Sequence, residues 1–236
     1  MPGHYLRGAL IDFTESFPLP IPNVIIFQYN PESMTHGWTP ATTNASTPGA
    51  AANPLAITGD PQETFSFTLA MDATDMIADG DAVETALATA SGVYTRLAAL
   101  EMLLFPTAPP GGGLIGTVTA ALGGLGGGGA PAPTAQVPAA QLPTVLFVWG
   151  PGRIVPVRVT ALSITEKLYD AALLNPTHAE AQITLRVLTA QELAFVDGPL
   201  ATVANMAATY SKGLREALAL ANLANAAESI IGMLPL

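Results

Sequence analysis

The chain has 236 residues, a length that allows one large domain or one domain with an appendage. Only 11% of the residues are charged, against about 25% in an average soluble protein, so we expect neighbouring subunits to cover much of the surface. The net charge is −10 and no Lys or Arg cluster occurs, which argues against binding to nucleic acid or to anionic membranes. A compositional bias towards Ala, Gly and Pro is the alternative explanation for the low charge.

Residues for several kinds of site are missing. There are no cysteines, and His4, His36 and His178 form no HxxxH or HxH pair, so neither a metal nor a cofactor is predicted. The segment MPGHYLRGALIDF lacks a basic region followed by a long apolar run. We therefore predict synthesis in the cytoplasm without a secretory signal.

The first half of the chain predicts three strands. Residues 6–13 and 24–29 are largely apolar, and the second segment ends where Pro31, which lacks an N–H, follows Asn30. Residues 37–61 have many breakers and no period, which predicts a long excursion from the sheet. The segment ETFSFTLAMD alternates apolar and polar residues, which predicts a strand with one buried face.

Four aspartates come next, namely Asp72, Asp75, Asp79 and Asp81. They do not follow the order of an EF-hand loop, so a helix cap and a solvated turn are favoured over a calcium site. Asp81 and Glu84 have the spacing of a capping box, and the apolar residues that follow predict one helix from Val83 to about Leu104. Gly92 inside this helix indicates a conformational or packing requirement.

The segment 106–143 is rich in Gly, Ala and Pro and has no charged residue, which predicts a flexible insertion. A hairpin is predicted from strands at 145–149 and 153–165, in which Pro156 indicates an edge position or a bulge. A further strand is predicted over 181–189. The tail from Pro199 to about Gly232 has the apolar stripe of a helix.

No catalytic constellation is apparent. The sequence has no GxSxG elbow beside His36 or His178. Its Gly-rich stretches lack the Lys and Ser or Thr of a phosphate loop. A paired-carboxylate hydrolase stays open because any two of the 18 acidic residues could converge. Trp38 and Trp149 are interpreted as packing residues, with a sugar-binding platform as the alternative.

Four stretches stand in order: IIFQYNPES, GDPQETFSFTLAMDATD, TVLFVWGPGRIVPVRVTALSITEKLYD and NPTHAEAQITLRVLT. Together they resemble the tube-protein N-terminal domain of contractile injection systems, which are phage-tail-like machines. In that family a strand ending in F-x-(Y/F)-N-P precedes an alternating E-T strand, an F-x-W-G hairpin and a last strand after a Pro-containing turn. The resemblance covers residues 5–190 apart from the insertion.

The resemblance implies an α+β, mainly β, tail-tube-like fold: two antiparallel sheets form a barrel-like sandwich with one helix. This domain would span residues 1–190, interrupted by 106–143, and a helical extension would follow over 191–236. Two departures from the family stand out. No LysM-like sequence follows Thr189, and the turn that often reads Gly-x-Pro-x-Arg-Ala lacks its Arg at residues 175–179.

The implied function is structural, without enzymatic activity. Six copies would form a ring in the baseplate that adapts the central spike to the inner tube, in a cytoplasmic or released particle. The implied partners are the spike protein, an inner-tube or tube-initiator protein and other baseplate proteins, with no nucleic acid and no membrane insertion. The alternatives are a bulk inner-tube subunit and a cell-wall-binding or hydrolytic module.

Residues at strand ends are the candidates for subunit contacts. They are Asn30, Pro31, Glu32, Asp72, Asp75, Trp149, Asn175 and Pro176. The acidity of the first half of the chain further suggests that its aspartates line a lumen or face a basic neighbour.

Overall fold

The computed structural model describes residues 6–14, 21–41, 59–105, 142–196 and 199–233. The strands in these ranges are β1 (Ala9–Thr14), β2 (Ile21–Ile26), β3 (Met34–Thr39), β4 (Gln62–Asp72), β5 (Val145–Val148), β6 (Ile154–Tyr169) and β7 (Pro176–Val187). The helices are α1 (Ala73–Asp79), α2 (Ala82–Ser91), α3 (Tyr94–Met102), α4 (Ala190–Leu193) and α5 (Pro199–Met233). The predicted insertion, except its last two residues, lies outside the described residues.

The protein is α+β, as predicted, but its strands form one sheet and not two. All seven described strands pair antiparallel in the order β2-β1-β5-β6-β7-β4-β3. The long strands explain the difference: β7 pairs along most of its length with both β6 and β4, so the sheet continues where a second one was expected. The sheet is open, because its edges, β2 and β3, do not pair with each other.

The sheet curves around an aromatic core. Phe67 of β4 stacks on Phe147 of β5 with ring centroids 5.5 Å apart, although β6 and β7 lie between these strands. Flat neighbouring strands are about 4.8 Å apart, so only a strongly curved sheet brings the two rings together. The alternation predicted for ETFSFTLAMD is confirmed, since Phe65, Phe67, Leu69 and Met71 are all buried.

The single helix predicted from Val83 to Leu104 is wrong. The chain forms α2, breaks at Gly92 and Val93, and continues as α3. Gly92 has φ +60° and ψ −131°, a conformation that L-residues rarely adopt, and a Cβ there would lie 2.2 Å from the carbonyl oxygen of Pro176. The predicted requirement for glycine is therefore real, and it divides the helix.

Three boundaries also differ from expectation. The acid-rich segment is not only a turn, because its first part forms α1, and β3 occupies the start of the predicted excursion. The last strand begins at Pro176 and not at residue 181.

Pro156 lies in a central strand, and the bulge comes later, between Val159 and Ala161. The carbonyl of Pro156 accepts from Leu188 N just beyond the end of β7, so the missing N–H faces the end of the ladder.

The helices cover the two faces of the sheet in different places. Helices α1 to α3 bury Met76, Leu97 and Leu100 in the concave core. The predicted C-terminal helix is confirmed as α5, whose first half covers the opposite face near the start of β6 through Ala207. Among the described helices, none combines the length and apolarity needed to cross a bilayer.

Candidate functional site

The first Asn-Pro corner follows β2 and holds the segment before β1. Asn30 Nδ2 donates to Leu6 O at 2.8 Å, and Asn30 Oδ1 accepts from Gly8 N at 2.9 Å. Both ends of one amide group therefore bind the same backbone segment. Pro31 is half-buried and Glu32 is exposed, and neither side chain forms a hydrogen bond or ion pair with the described part of the chain.

Two residues before this corner connect it to the junction of β4 and α1. The Gln28 side-chain amide donates to Asp72 O at 2.9 Å and accepts from Asp72 N at 3.0 Å. The Tyr29 hydroxyl donates to the Asp75 carboxylate. This hydrogen bond, helped by burial and by the charge of Asp75, raises the pKa of Tyr29 to about 12. The phenol therefore stays protonated and remains a donor at neutral pH.

Asp72 is the N-cap of α1 and connects β4 to the start of β7. Its Oδ1 accepts from Thr74 N at 2.7 Å, and its Oδ2 lies 3.5 Å from His178 Nδ1. Burial alone would raise the pKa of the Asp72 carboxyl, but the hydrogen bonds from Thr74 and the nearby His178 outweigh it and lower that pKa. The predicted helix cap therefore exists, with Asp72 as the cap of α1 and Asp81 as the cap of α2.

The second Asn-Pro corner opens β7 and fixes the break between α2 and α3. Asn175 Nδ2 donates to Ala90 O at 2.9 Å, and Pro176 O accepts from Val93 N at 2.9 Å. Pro176 is buried. This corner is thus joined to the helical layer, and His178 connects it to Asp72.

The two corners and the aspartates therefore form one connected rim. The rim comprises Gln28–Glu32, Asp72–Asp75 and Asn175–His178. Seven of the eight predicted contact residues lie in it. Trp149 is the exception, because it packs against Phe27 and Phe147 with centroid distances of 6.3 and 6.1 Å. Its ring also fills the space beside Gly8, where a Cβ would lie 2.8 Å away.

A second cluster was missed from the sequence. Glu63, which is buried, accepts from Arg215 Nη2 at 2.5 Å and lies 2.7 Å from His36 Nε2. His36 also stacks on Phe65 with centroids 4.1 Å apart. Burial, opposed by the contact with Glu63, lowers the pKa of His36. No local pattern could have shown this cluster, because Glu63 and Arg215 are 152 residues apart.

The carboxylates of both clusters are engaged within the chain. Glu63 forms an ion pair with Arg215, and Asp72 and Asp75 accept hydrogen bonds. Trp38 is exposed beside Glu63, and its ring packs against His36 with centroids 3.7 Å apart and the ring planes tilted by 41°. In the described ranges, no group of three His, Asp or Glu side chains is arranged to hold a metal ion. No protein-family model matches the sequence, and no curated protein matches it significantly.

Proposed function

We propose that the chain is a structural subunit of a contractile-injection-system baseplate. Six copies form a ring that adapts the central spike to the inner tube, with a tail-tube-like, barrel-like arrangement completed between subunits. The observation that carries this proposal is the open edge of the sheet. From Arg158 to Tyr169, β6 has one hydrogen-bonded neighbour in the described chain, because β5 pairs only with its first four residues.

Open strand edges favour pairing with another chain, and ring closure removes them. The edge strand β2 supports the same arrangement, because Val24 and Ile26 are about half exposed on it. An apolar edge strand in water is an aggregation hazard unless a neighbour covers it. The low charge of the whole chain is consistent with extensive coverage.

One face of the sheet suits the wall of a water-filled passage. On the face opposite the aromatic core, Arg186 lies at one end and Lys167 and Glu180 lie at the other. Between them, β4, β7 and the outer half of β6 carry uncharged polar side chains. They are Thr64, Ser66, Thr68, Gln182, Thr184, Ser163 and Thr165. None of these residues is buried. Such a surface offers hydrogen bonds to water without attracting a charged cargo strongly.

The mass of the assembled protein in solution tests the ring. We expect native mass spectrometry to give six copies for the full chain. The double variant Val24→Lys with Ile26→Lys places two charges on the edge strand β2. It should reduce the six-copy species at least tenfold without lowering the melting temperature. Leu218→Lys, also exposed but on α5, is the matched control and should leave the six-copy species intact. A six-copy species that is unchanged in the β2 variant would contradict edge-mediated closure.

Copy number separates the adaptor from the nearest alternative. A baseplate adaptor occurs as one ring per particle, whereas a bulk inner-tube subunit occurs as many. Quantitative mass spectrometry of purified particles against a sheath standard distinguishes the two. A protein absent from such particles would contradict both.

A further inference from the structure

Two arginines lie side by side on the face of the sheet opposite the aromatic core. Arg158 of β6 pairs with Arg186 of β7 in the antiparallel register, so both side chains leave the sheet on the same side. Side chains directly opposite each other in this way are about 5 Å apart at their Cβ atoms, and like charges there repel each other. The fold therefore places two positive charges together, and an anion would relieve the repulsion between them.

Arg186 has its own carboxylate within the chain. Its Nη1 and Nη2 donate to the two carboxylate oxygens of Glu192 at 3.1 and 2.5 Å. The backbone N–H and the hydroxyl of Thr189 donate to the same carboxylate. Burial alone would raise the pKa of the Glu192 carboxyl, but the hydrogen bonds from Arg186 and Thr189 outweigh it and lower that pKa. Glu192 is therefore ionised at neutral pH and balances the charge of Arg186.

Arg158 has no such partner among the described residues. Its Nε is covered from solvent and forms no hydrogen bond there. The side chain as a whole is only half-buried, and Nε is the one guanidinium nitrogen that is fully covered, so the two Nη atoms can be reached from outside. A partly desolvated cation attracts an anion more strongly than a fully solvated one does, because the effective dielectric constant around it is lower.

The other described acidic residues near this end of the sheet do not supply a second carboxylate. Glu63 lies on the core side of β4 and pairs with Arg215. Asp12 is in register with core residues of β5 and β6, so it also lies on the core side. Asp60 is exposed before β4 and forms no ion pair with the described residues. The two arginines and Glu192 together therefore keep one positive charge.

The surface beside the arginines is open on two sides. In the row of paired residues that crosses the sheet at this point, Arg186 is followed by Thr64 on β4 and by Gly37 on β3. Thr64 is small and Gly37 has no side chain, so this row contains no large side chain beyond Arg186. On the other side, the pairing of β5 with β6 stops at Val157, so the free side of β6 begins at Arg158. A group that approaches this free side therefore meets Arg158 first.

We propose that Arg158 and Arg186 form a binding site for a carboxylate group. The fork of a guanidinium matches the two oxygens of a carboxylate, which can accept from both Nη atoms of Arg158. Arg186 stays paired with Glu192 and adds a second positive charge beside the ligand. The carboxylate belongs either to an Asp or Glu side chain of a neighbouring subunit at the free side of β6, or to a small dissolved acid. The site lies within one chain, so it does not depend on the ring proposed above.

A titration with sodium acetate tests the site directly. It is recorded by NMR on the full chain with Val24→Lys and Ile26→Lys, which we expect to remain a single copy, and sodium chloride at the same ionic strength is the reference. The Nε–H resonances of Arg158 and Arg186 report binding. We expect both to shift in a saturable way with acetate and not with chloride. Resonances that do not shift, or that shift equally in chloride, would overturn the proposal.

Four variants sharpen this titration. Arg158→Gln should abolish the acetate shift at Arg186, whereas Lys212→Gln, which removes an exposed lysine of α5, should leave it unchanged. Glu192→Gln frees the guanidinium of Arg186, while Gln remains compatible with a capping box. This variant should bind acetate about threefold more tightly, and an unchanged affinity would overturn the two-arginine site. Asp197 lies outside the described residues, and an acetate shift that appears only in Asp197→Asn would show that the chain already neutralises the site, which would also overturn the proposal.

Once acetate binding is established, native mass spectrometry separates the two sources of the carboxylate. If a neighbouring subunit supplies it, Arg158→Gln in the otherwise wild-type chain should reduce the six-copy species about tenfold, because the carboxylate of the neighbour loses its partner. If a dissolved acid supplies it, the six-copy species should persist in this variant. A wild type that forms no rings would contradict the proposed ring alone, because the acetate titration does not require assembly.

Discussion

The two Asn-Pro corners have the same dipeptide and opposite surroundings. In each, the asparagine side chain donates to a distant backbone carbonyl, Leu6 O for Asn30 and Ala90 O for Asn175. Yet Pro31 is only half-buried and follows a strand, whereas Pro176 is buried and begins one. In both corners, therefore, the asparagine side chain joins two chain segments. The burial of the corner depends on its neighbours, and the second corner is buried because the break between α2 and α3 packs against it.

The largest effect is expected where the second corner meets the helices. Gly92→Ala places a Cβ 2.2 Å from Pro176 O, against rigid backbone, and forces Ala to φ +60°. Each of these costs of order 1–3 kcal/mol, so we expect a loss of about 3 kcal/mol or more in the free energy of unfolding. Urea denaturation followed by circular dichroism measures it.

Gly213→Ala is the matched control for this substitution. Gly213 lies within α5 and a Cβ there meets nothing within 4 Å. Ala in a helix is more favourable than Gly by about 1 kcal/mol, so this variant should be more stable. If Gly92→Ala were equally well tolerated, the second corner would not have the rigidity that we assign to it.

The next largest effect separates the two asparagines. Asn30→Ala removes two hydrogen bonds and should cost about 1–2 kcal/mol, whereas Asn175→Ala removes one and should cost about 1 kcal/mol. Asn30→Asp keeps the acceptor for Gly8 N and loses the donor to Leu6 O, so its cost should fall between these values. Chemical denaturation of the three variants gives the order. The reverse order would show that the covered corner depends more on its asparagine than the exposed one does.

These corners also show how far the sequence leads. The strand predicted over 24–29 does not extend to Pro31, because β2 covers Ile21–Ile26 and its pairing with β1 stops at Ile26. The start of β7 at Pro176 was missed, since the polar residues that follow it are ordered by pairing with β4 and β6. The break at Gly92 was not predicted because its cause, Pro176 O, is 84 residues away.

The same limit applies to the rim and to the sheet. Residues at strand ends could be identified from the sequence, and seven of them lie in the rim. Trp149 was interpreted as a packing residue and also named as a contact candidate, and its contacts with Phe27 and Phe147 confirm the packing interpretation. The single sheet was missed for a related reason: strand length and order are visible locally, whereas continuity across β7 is a property of the assembled chain.

A pH titration tests the residue that joins the corners. The pKa of Asp72 is lower in the folded protein than its ordinary value of 3.8, so its carboxylate stabilises the fold above that pH. This contribution is lost as the pH falls from 3.8 through the folded value. Asp72→Asn should therefore lower the melting temperature at pH 7, where the carboxylate contribution is fully present, and the difference from the wild type should shrink as the pH falls through this acidic window. Melting temperatures of both proteins between pH 2 and pH 7 provide the measurement, and parallel curves would contradict the assignment.

The smallest effect on folding is expected at the exposed side of the first corner. Asn30 makes both hydrogen bonds of that corner, and neither Pro31 nor Glu32 adds one from the described residues. Pro31→Ala with Glu32→Ala should therefore shift the free energy of unfolding by about 1 kcal/mol or less. If the rim is a subunit contact, the same double variant should weaken ring assembly much more. Comparing its denaturation midpoint with its mass distribution in sedimentation separates the two roles, because equal losses would mean that the corner only supports the fold.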